Sequence, residues 1–332
     1  MTEHEIDATP GTTVDVLDRS HTPRLTVDPG DRVTVTSLDA SGYLERQTVP
    51  GERRPTMFAE PRGHCLTGPL EVRGARPGDH LAVHFEEVVP LGWGWTATGG
   101  RHTPVNDRLG VGDGPTAWLL WDVEDDVATE SRGFRCPTAP FLGVVGTAPA
   151  EPGEHSTIPP RPGTGGNLDC RELVAGSTLY LPVEVPGGLL YLGDGHAAQG
   201  DGEVGGTAIE CPMRTVVTVD VVTDRPVPGV HAETPGGLVT LGVDTDLEVA
   251  TGDAVEAMCR WLGALHGLDT ATALALASTA VDLRVTQVVN RTWGVHAVLA
   301  PGRLERAPQP SRAAGGSRRA PGPSDDSTSS AL

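Results

Sequence analysis

The sequence predicts a mainly β protein: an antiparallel sandwich or barrel body with a small C-terminal α+β portion. Three observations carry this. First, 43 glycines and 29 prolines in 332 residues demand many turns and short elements. Second, tight turns lead repeatedly into runs of alternating apolar and polar residues. Third, that period-two pattern gives way to helical spacing near residue 252. The boundaries follow: a β-rich body over residues 1–245, a small α+β unit over 246–302 packed on it, and a disordered tail over 303–332.

Within the body, Pro29-Gly30-Asp31 precedes RVTVTSLD, Pro77-Gly78-Asp79 precedes HLAVHFEEV, and Ala175-Gly176-Ser177 precedes TLYLPVEV. Each reads as a turn entering a half-buried strand. Further strands are expected at 117–123, 188–192, 215–222 and 238–243. Two segments, 92–114 and 149–166, read as long glycine- and proline-rich loops of the kind that often serve as lids or binding loops. Beyond the body, Asp253 is the expected cap of a helix in which Ala254, Met258, Trp261, Leu262 and Leu265 share a face. Gly267 ends it, a second helix runs from Thr270 to about Val281, and 283–289 reads as a strand. The tail is poor in large apolar residues and cannot offset its ordering entropy.

Composition excludes several chemistries. All 25 basic residues are arginine, so no catalytic, Schiff-base or phosphate-loop lysine exists. A net charge of −19 argues against nucleic acid and anionic membranes as partners. Cys65, Cys136, Cys170, Cys211 and Cys259 are odd in number and scattered, which suggests reduced thiols and a cytoplasmic setting. The acidic start lacks a signal-peptide apolar core, and no stretch is apolar enough to span a membrane.

The densest polar cluster is GDGHAAQGDGE, residues 193–203. It offers Asp194, His196, Gln199, Asp201 and Glu203 among glycines. Imidazole nitrogen mixed with carboxylate oxygen suits a divalent metal or acid–base work. The bland alternative is an acidic turn with a solvated histidine. Asn167 and Asp169 in GGNLD and His64 in GHCLTGP are secondary candidates. Glu210 follows Glu203 by seven positions, so on a regular strand the two would face opposite sides.

At these clusters the sequence resembles the acetamidase/formamidase family. The segments are HCLTGPLEVRGARPGDHLAV, PFLGVVGTAP, the run from GNLDCREL through GDGHAAQGDGE to GGTAIE, and STAVDLRVTQVVNRTWGV, in the same order over roughly residues 20–300. The resemblance implies hydrolysis of the C–N bond of small aliphatic amides, a mainly β body, a divalent metal and a homo-oligomer. His64, Asn167, Asp169, Asp194, His196, Gln199, Asp201 and Glu203 occupy the matching motif positions. On this basis Asp194, His196 and His64 or Asp169 would hold the metal, taken as zinc, with calcium as a candidate second ion. Glu203 would move the proton between water and ammonia. Asn167 or backbone N–H groups would hold the oxyanion, Asp169 would assist, and Gln199 and Asp201 would contact substrate. Two other readings stand beside this one: a hydrolase with Cys65, Cys170 or Cys211 as nucleophile, and a non-catalytic calcium-holding sandwich. The missing lysine excludes the Ser-Ser-Lys and Cys-Glu-Lys arrangements that other amidase families resemble.

Overall fold

The structure, a computed structural model, describes residues 1–306. From residue 307 the expected tail lies outside the described residues. Short of that, Leu304 packs against the apolar cluster of the C-terminal helices.

Two large sheets make the body. The first has nine strands, ordered Glu3–Ile6, Asp31–Ser37, Met213–Val222, His80–Pro90, Thr178–Pro182, His231–Thr234, Gly237–Asp244, Trp293–Leu299 and Asp282–Gln287. The second has eleven and runs from Arg135–Pro137 at one edge to Gly165–Asn167 at the other. Neither closes into a barrel, so the sandwich half of the expectation holds. The sheets pack apolar face on apolar face. Val33, Phe85, Leu179 and Val217 from one meet Leu70, Leu142, Leu190 and Leu192 from the other, all buried. Each such side chain contributes roughly 1.5–3 kcal/mol on burial.

The strands predicted by alternation appear with small shifts. The two expected loops hold regular structure: 92–114 contains the strand Trp93–Thr98 and a short helix, Pro104–Leu109, and 149–166 contains the two-residue strand His155–Ser156. The departure is larger in 92–114. Glycine is what disguised it. A side chain at Gly94 would place its Cβ 2.8 Å from the Glu210 carbonyl, so close approach to the neighbouring strand requires glycine there.

Leu190–His196 is the hub of the second sheet. One edge pairs with Phe141–Gly146. The other is shared between Leu66–Val72 and the two-residue strand Glu210–Cys211. Gly193, Asp194 and His196 therefore lie inside a strand, not in the loop after it.

The C-terminal helices are Leu247–His266 and Thr270–Ala280. The first begins earlier than expected because Asp246 caps it, accepting from the amides of Glu248 and Val249. Gly267 ends it in the left-handed region with φ 65°, as expected. It lies very close to the first sheet: a Cβ at Gly242 would clash with the Ala250 carbonyl oxygen. Gly242→Ala should therefore lift the helix and cost on the order of 3 kcal/mol, the upper range for overpacking. A denaturant midpoint equal to that of the wild type would refute this packing argument.

Candidate active site

Three adjacent strands build the site. Gly165–Asn167 runs antiparallel to Phe141–Gly146, which in turn pairs with Leu190–His196. Asp194 and His196 are two apart on the hub strand and so share a face. Opposite Asp194 in the register stands Gly143, and its missing side chain makes the room. A Cβ there would lie 2.6 Å from Asp194 Oδ2, 2.7 Å from His196 Cε1 and 2.9 Å from Asp169 Oδ1. The carbonyl of Gly143 also accepts from the amides of Leu168 and Asp169, which brings Asp169 into the group.

Asp169, Asp194 and His196 form one set whose ligand atoms lie within 4.8 Å of one another, and His196, Glu203 and Glu210 form another. All five residues are buried. His196 Nε2 is 3.2 Å from Glu210 Oε2 and 3.4 Å from Asp194 Oδ1. Phe141 packs edge-on to the imidazole. Three of the acids, Asp169, Asp194 and Glu203, have left-handed backbones, with φ of 48°, 58° and 44°. Such conformations are sparsely populated by residues other than glycine and persist where the surroundings enforce them.

Charge crowding sets the protonation pattern. Burial pushes Asp169 well above the usual carboxylate range, and the nearby Glu203 charge adds to it. Burial likewise raises Glu203 to about 8 and Glu210 to about 7, each partly offset by His196. Asp194 goes the other way: His64 and His196 outweigh its burial and hold it low. His196 is raised because Glu210 and Asp194 favour its cationic form more than burial opposes it.

The loop carrying Glu203 is pinned from the C-terminal unit. The Gly202 amide donates to Thr286 O, and the Val288 amide donates back to Gly202 O. Glu203 and Glu210 thus converge because the chain between them loops back. The strand parity that would have separated them never applies.

An open cavity of about 350 Å³ leads to the cluster, lined by Asp169, Asp194, Glu203, Glu210, Asn167 and His64 among others. His64 is oriented by Thr157, whose hydroxyl accepts from the His64 amide at 2.7 Å and lies 3.2 Å from its Nδ1. Its Nε2 is 3.9 Å from Asp194 Oδ2, and it belongs to neither ligand set. Asn167 donates to Ile158 O at 2.8 Å, which leaves Oδ1 buried without a partner. Gln199 is turned away from the cavity and donates to the Asp169 carbonyl at 2.7 Å. Asp201 is exposed, with its carboxylate 3.9 Å from Arg284, and does not line the cavity. Gly143 and Thr157 carry no signal in the sequence, and strand parity there sets Glu210 apart from Glu203.

The cysteines are poor nucleophiles. Cys65, Cys170 and Cys211 are buried and none lines the cavity. Burial pushes the first two thiols up to about 12 and Cys211 higher still.

A divalent ion fits this cluster. Asp169 Oδ2 and His196 Nδ1 are buried without hydrogen-bond partners, and Asp194 Oδ1 and Glu210 Oε2 have only the His196 imidazole beside them, outside hydrogen-bond geometry. Orphaned carboxylate oxygens are costly in a dry interior, and a cation would satisfy them. The mixed nitrogen and oxygen donors are those zinc accepts.

The description "Acetamidase/Formamidase family" belongs to a family model that matches residues 17–155 and 152–302. The chain belongs to the acetamidase/formamidase family. Among family members it is similar to the formamidase of Methylophilus methylotrophus, 28% identical over 230 residues that cover 54% of this chain and 56% of that one. It is also similar to the acetamidase of Mycolicibacterium smegmatis, 28% identical over 259 residues that cover 60% of each. This chain thus spans little more than half the length of these curated relatives. The crystal structure of an acetamidase from Bacillus halodurans superposes with a TM-score of 0.79 at 30% identity, covering 89% of this chain and 97% of that one.

Proposed function

We propose that this acetamidase/formamidase-family chain hydrolyses the C–N bond of small aliphatic amides, giving a carboxylate and ammonia. The observation that carries the reading is the convergence of Asp169, Asp194, His196, Glu203 and Glu210 on one buried point beside an open cavity.

In this reaction a water oxygen bonds to the amide carbon, the C–N bond breaks, and a proton from water ends on the departing nitrogen. Asp169, Asp194 and His196 would hold a divalent ion, which when bound supplies Lewis acidity that acidifies water and polarises a carbonyl. Glu203 lines the cavity, and burial holds its carboxyl near 8, close to the range suited to moving a proton both ways at neutral pH. Because the Asn167 side-chain amide already donates to Ile158, its free Oδ1 suits an N–H of the substrate amide better than an oxyanion. That leaves the oxyanion to backbone N–H groups. Gln199 acts through Asp169 by holding its backbone. The reading keeps zinc as the metal and a homo-oligomer as the assembly. No helix among the described residues is long and apolar enough to cross a membrane.

Metal analysis of the purified protein, run beside an ammonia-release assay over a ladder of alkanamides, tests this directly. Ammonia should appear, a bound divalent ion should be found, and a chelator should remove both activity and several degrees of Tm, since an ion that binds only the folded state stabilises it. Full activity in metal-stripped protein would sink the metal role. No ammonia from any amide would sink the proposed function.

A further inference from the structure

A second cavity, about 410 Å³, adjoins the first. Arg101 and Val289 line both. Beyond them the second cavity is walled by Pro104, Val288 and Trp293, with Arg291, His102 and two threonines also lining it. It thus sets two guanidinium groups in a lining of mixed apolar and polar side chains.

Neither arginine is spent on a carboxylate. Arg101 donates one N–H to the Gly206 carbonyl at 2.8 Å and makes no ion pair among the described residues. A guanidinium has five donors, so most remain available. Gly206 is glycine for this contact: its φ is +87°, and a Cβ there would meet Arg101 Nη2. Arg291 likewise makes no side-chain hydrogen bond or ion pair among the described residues, and it stands on a left-handed backbone with φ 57°. The carboxylates nearest in sequence to this wall, Asp107 and Asp113, are engaged by His102 at 2.7 and 3.2 Å. Arg62, which also lines the first cavity, contrasts with them because Asp15 and Glu154 both hold it.

Size points the same way. A two-carbon amide has four heavy atoms and occupies about 120 Å³, taking roughly 30 Å³ of liquid volume per heavy atom. The first cavity alone exceeds that severalfold, and the second extends it. The reacting carbonyl must sit among acids, so an anion can be tolerated only at a distance from them.

We infer that the preferred substrate is an amide whose acyl chain ends in a carboxylate, with the amide at the buried acid cluster and the far carboxylate held by Arg101 and Arg291. This rests on the amide-hydrolysis reading and names its substrate class.

The test compares monoamides of linear dicarboxylic acids, from malonic to adipic, with alkanamides of matched length. The wild type should favour some member of the anionic series by about tenfold or more in kcat/KM, the scale of one charge-assisted hydrogen bond. Arg101→Gln and Arg291→Gln should each collapse that ratio, chiefly through KM of the anionic substrate. Arg291→Gln keeps the test valid if Arg101→Gln disturbs the Glu203 loop. Hydrolysis of alkanamides with no anionic preference would overturn the inference and leave amide hydrolysis standing. Equal losses on both series in both variants would overturn it too. Inactivity on every amide would remove the inference together with the reading beneath it.

Discussion

Gly143→Ala should lower kcat/KM for amide hydrolysis by a hundredfold or more, the scale on which a misplacement of about 1 Å is felt at a reacting centre. The backbone of Gly143 is not left-handed, so alanine brings no conformational strain of its own. The whole penalty falls on the site. The added methyl would lie 2.6–2.9 Å from atoms of Asp194, His196 and Asp169, well inside contact distance. Those side chains are buried, two of them on the neighbouring strand and Asp169 just past the end of Gly165–Asn167, so relief requires at least one of them to leave its place. Bound metal should fall along with turnover, and the metal-free protein should also lose about 1–3 kcal/mol, the usual cost of overpacking. Wild-type turnover with full metal occupancy would mean that these three residues are not the reacting centre.

Glu203→Gln should lower kcat by roughly 10²–10⁴-fold, the usual worth of a positioned proton carrier. KM and metal content should stay close to the wild type, because glutamine keeps the shape and loses only the titrating oxygen. Glu210→Gln makes the comparison informative. Glu210 faces His196 directly, and its other oxygen accepts from the Ala208 amide at 2.9 Å. Neutralising it removes the strongest support for a cationic His196 and should show first in metal affinity. If Glu203→Gln loses its metal, Glu203 is a ligand. If it turns over near the normal rate, the proton passes by another group.

Much of this was legible in the residues because the relevant physics is local. Alternation marked strands such as Met213–Val222 and Gly237–Asp244. Apolar spacing and Gly267 marked the helix Leu247–His266 from its second turn onward. Its start was missed because Thr251-Gly252 interrupts the pattern and Asp253 mimics a cap. The polar run 193–203 stands out by composition, yet its first four residues are strand. Gly143 carried no signal of its own. Its meaning comes from register, which sets it opposite Asp194 across a pair of strands about fifty residues apart in sequence. Glu210 was masked by a parity argument that holds only for an unbroken strand. Gln199 and Asp201 sit beside residues that line the cavity, and sequence proximity cannot tell a cavity-facing side chain from one turned to the backbone or to solvent.

The three left-handed acids connect the site to the stability of the whole molecule. Holding a residue other than glycine in that region costs on the order of 1–3 kcal/mol, against a net stability of roughly 5–15 kcal/mol for an ordinary domain. Asp169, Asp194 and Glu203 together therefore consume a sizeable share of that margin. Selection for thermal robustness alone would drift these positions toward glycine, and each step would erase a proposed ligand or proton carrier. The sandwich around them is better understood as a reserve that keeps three unfavourable conformations in place. Any programme to engineer a hardier form of this protein has its freedom in the two sheets and the helices, and none at those three backbones.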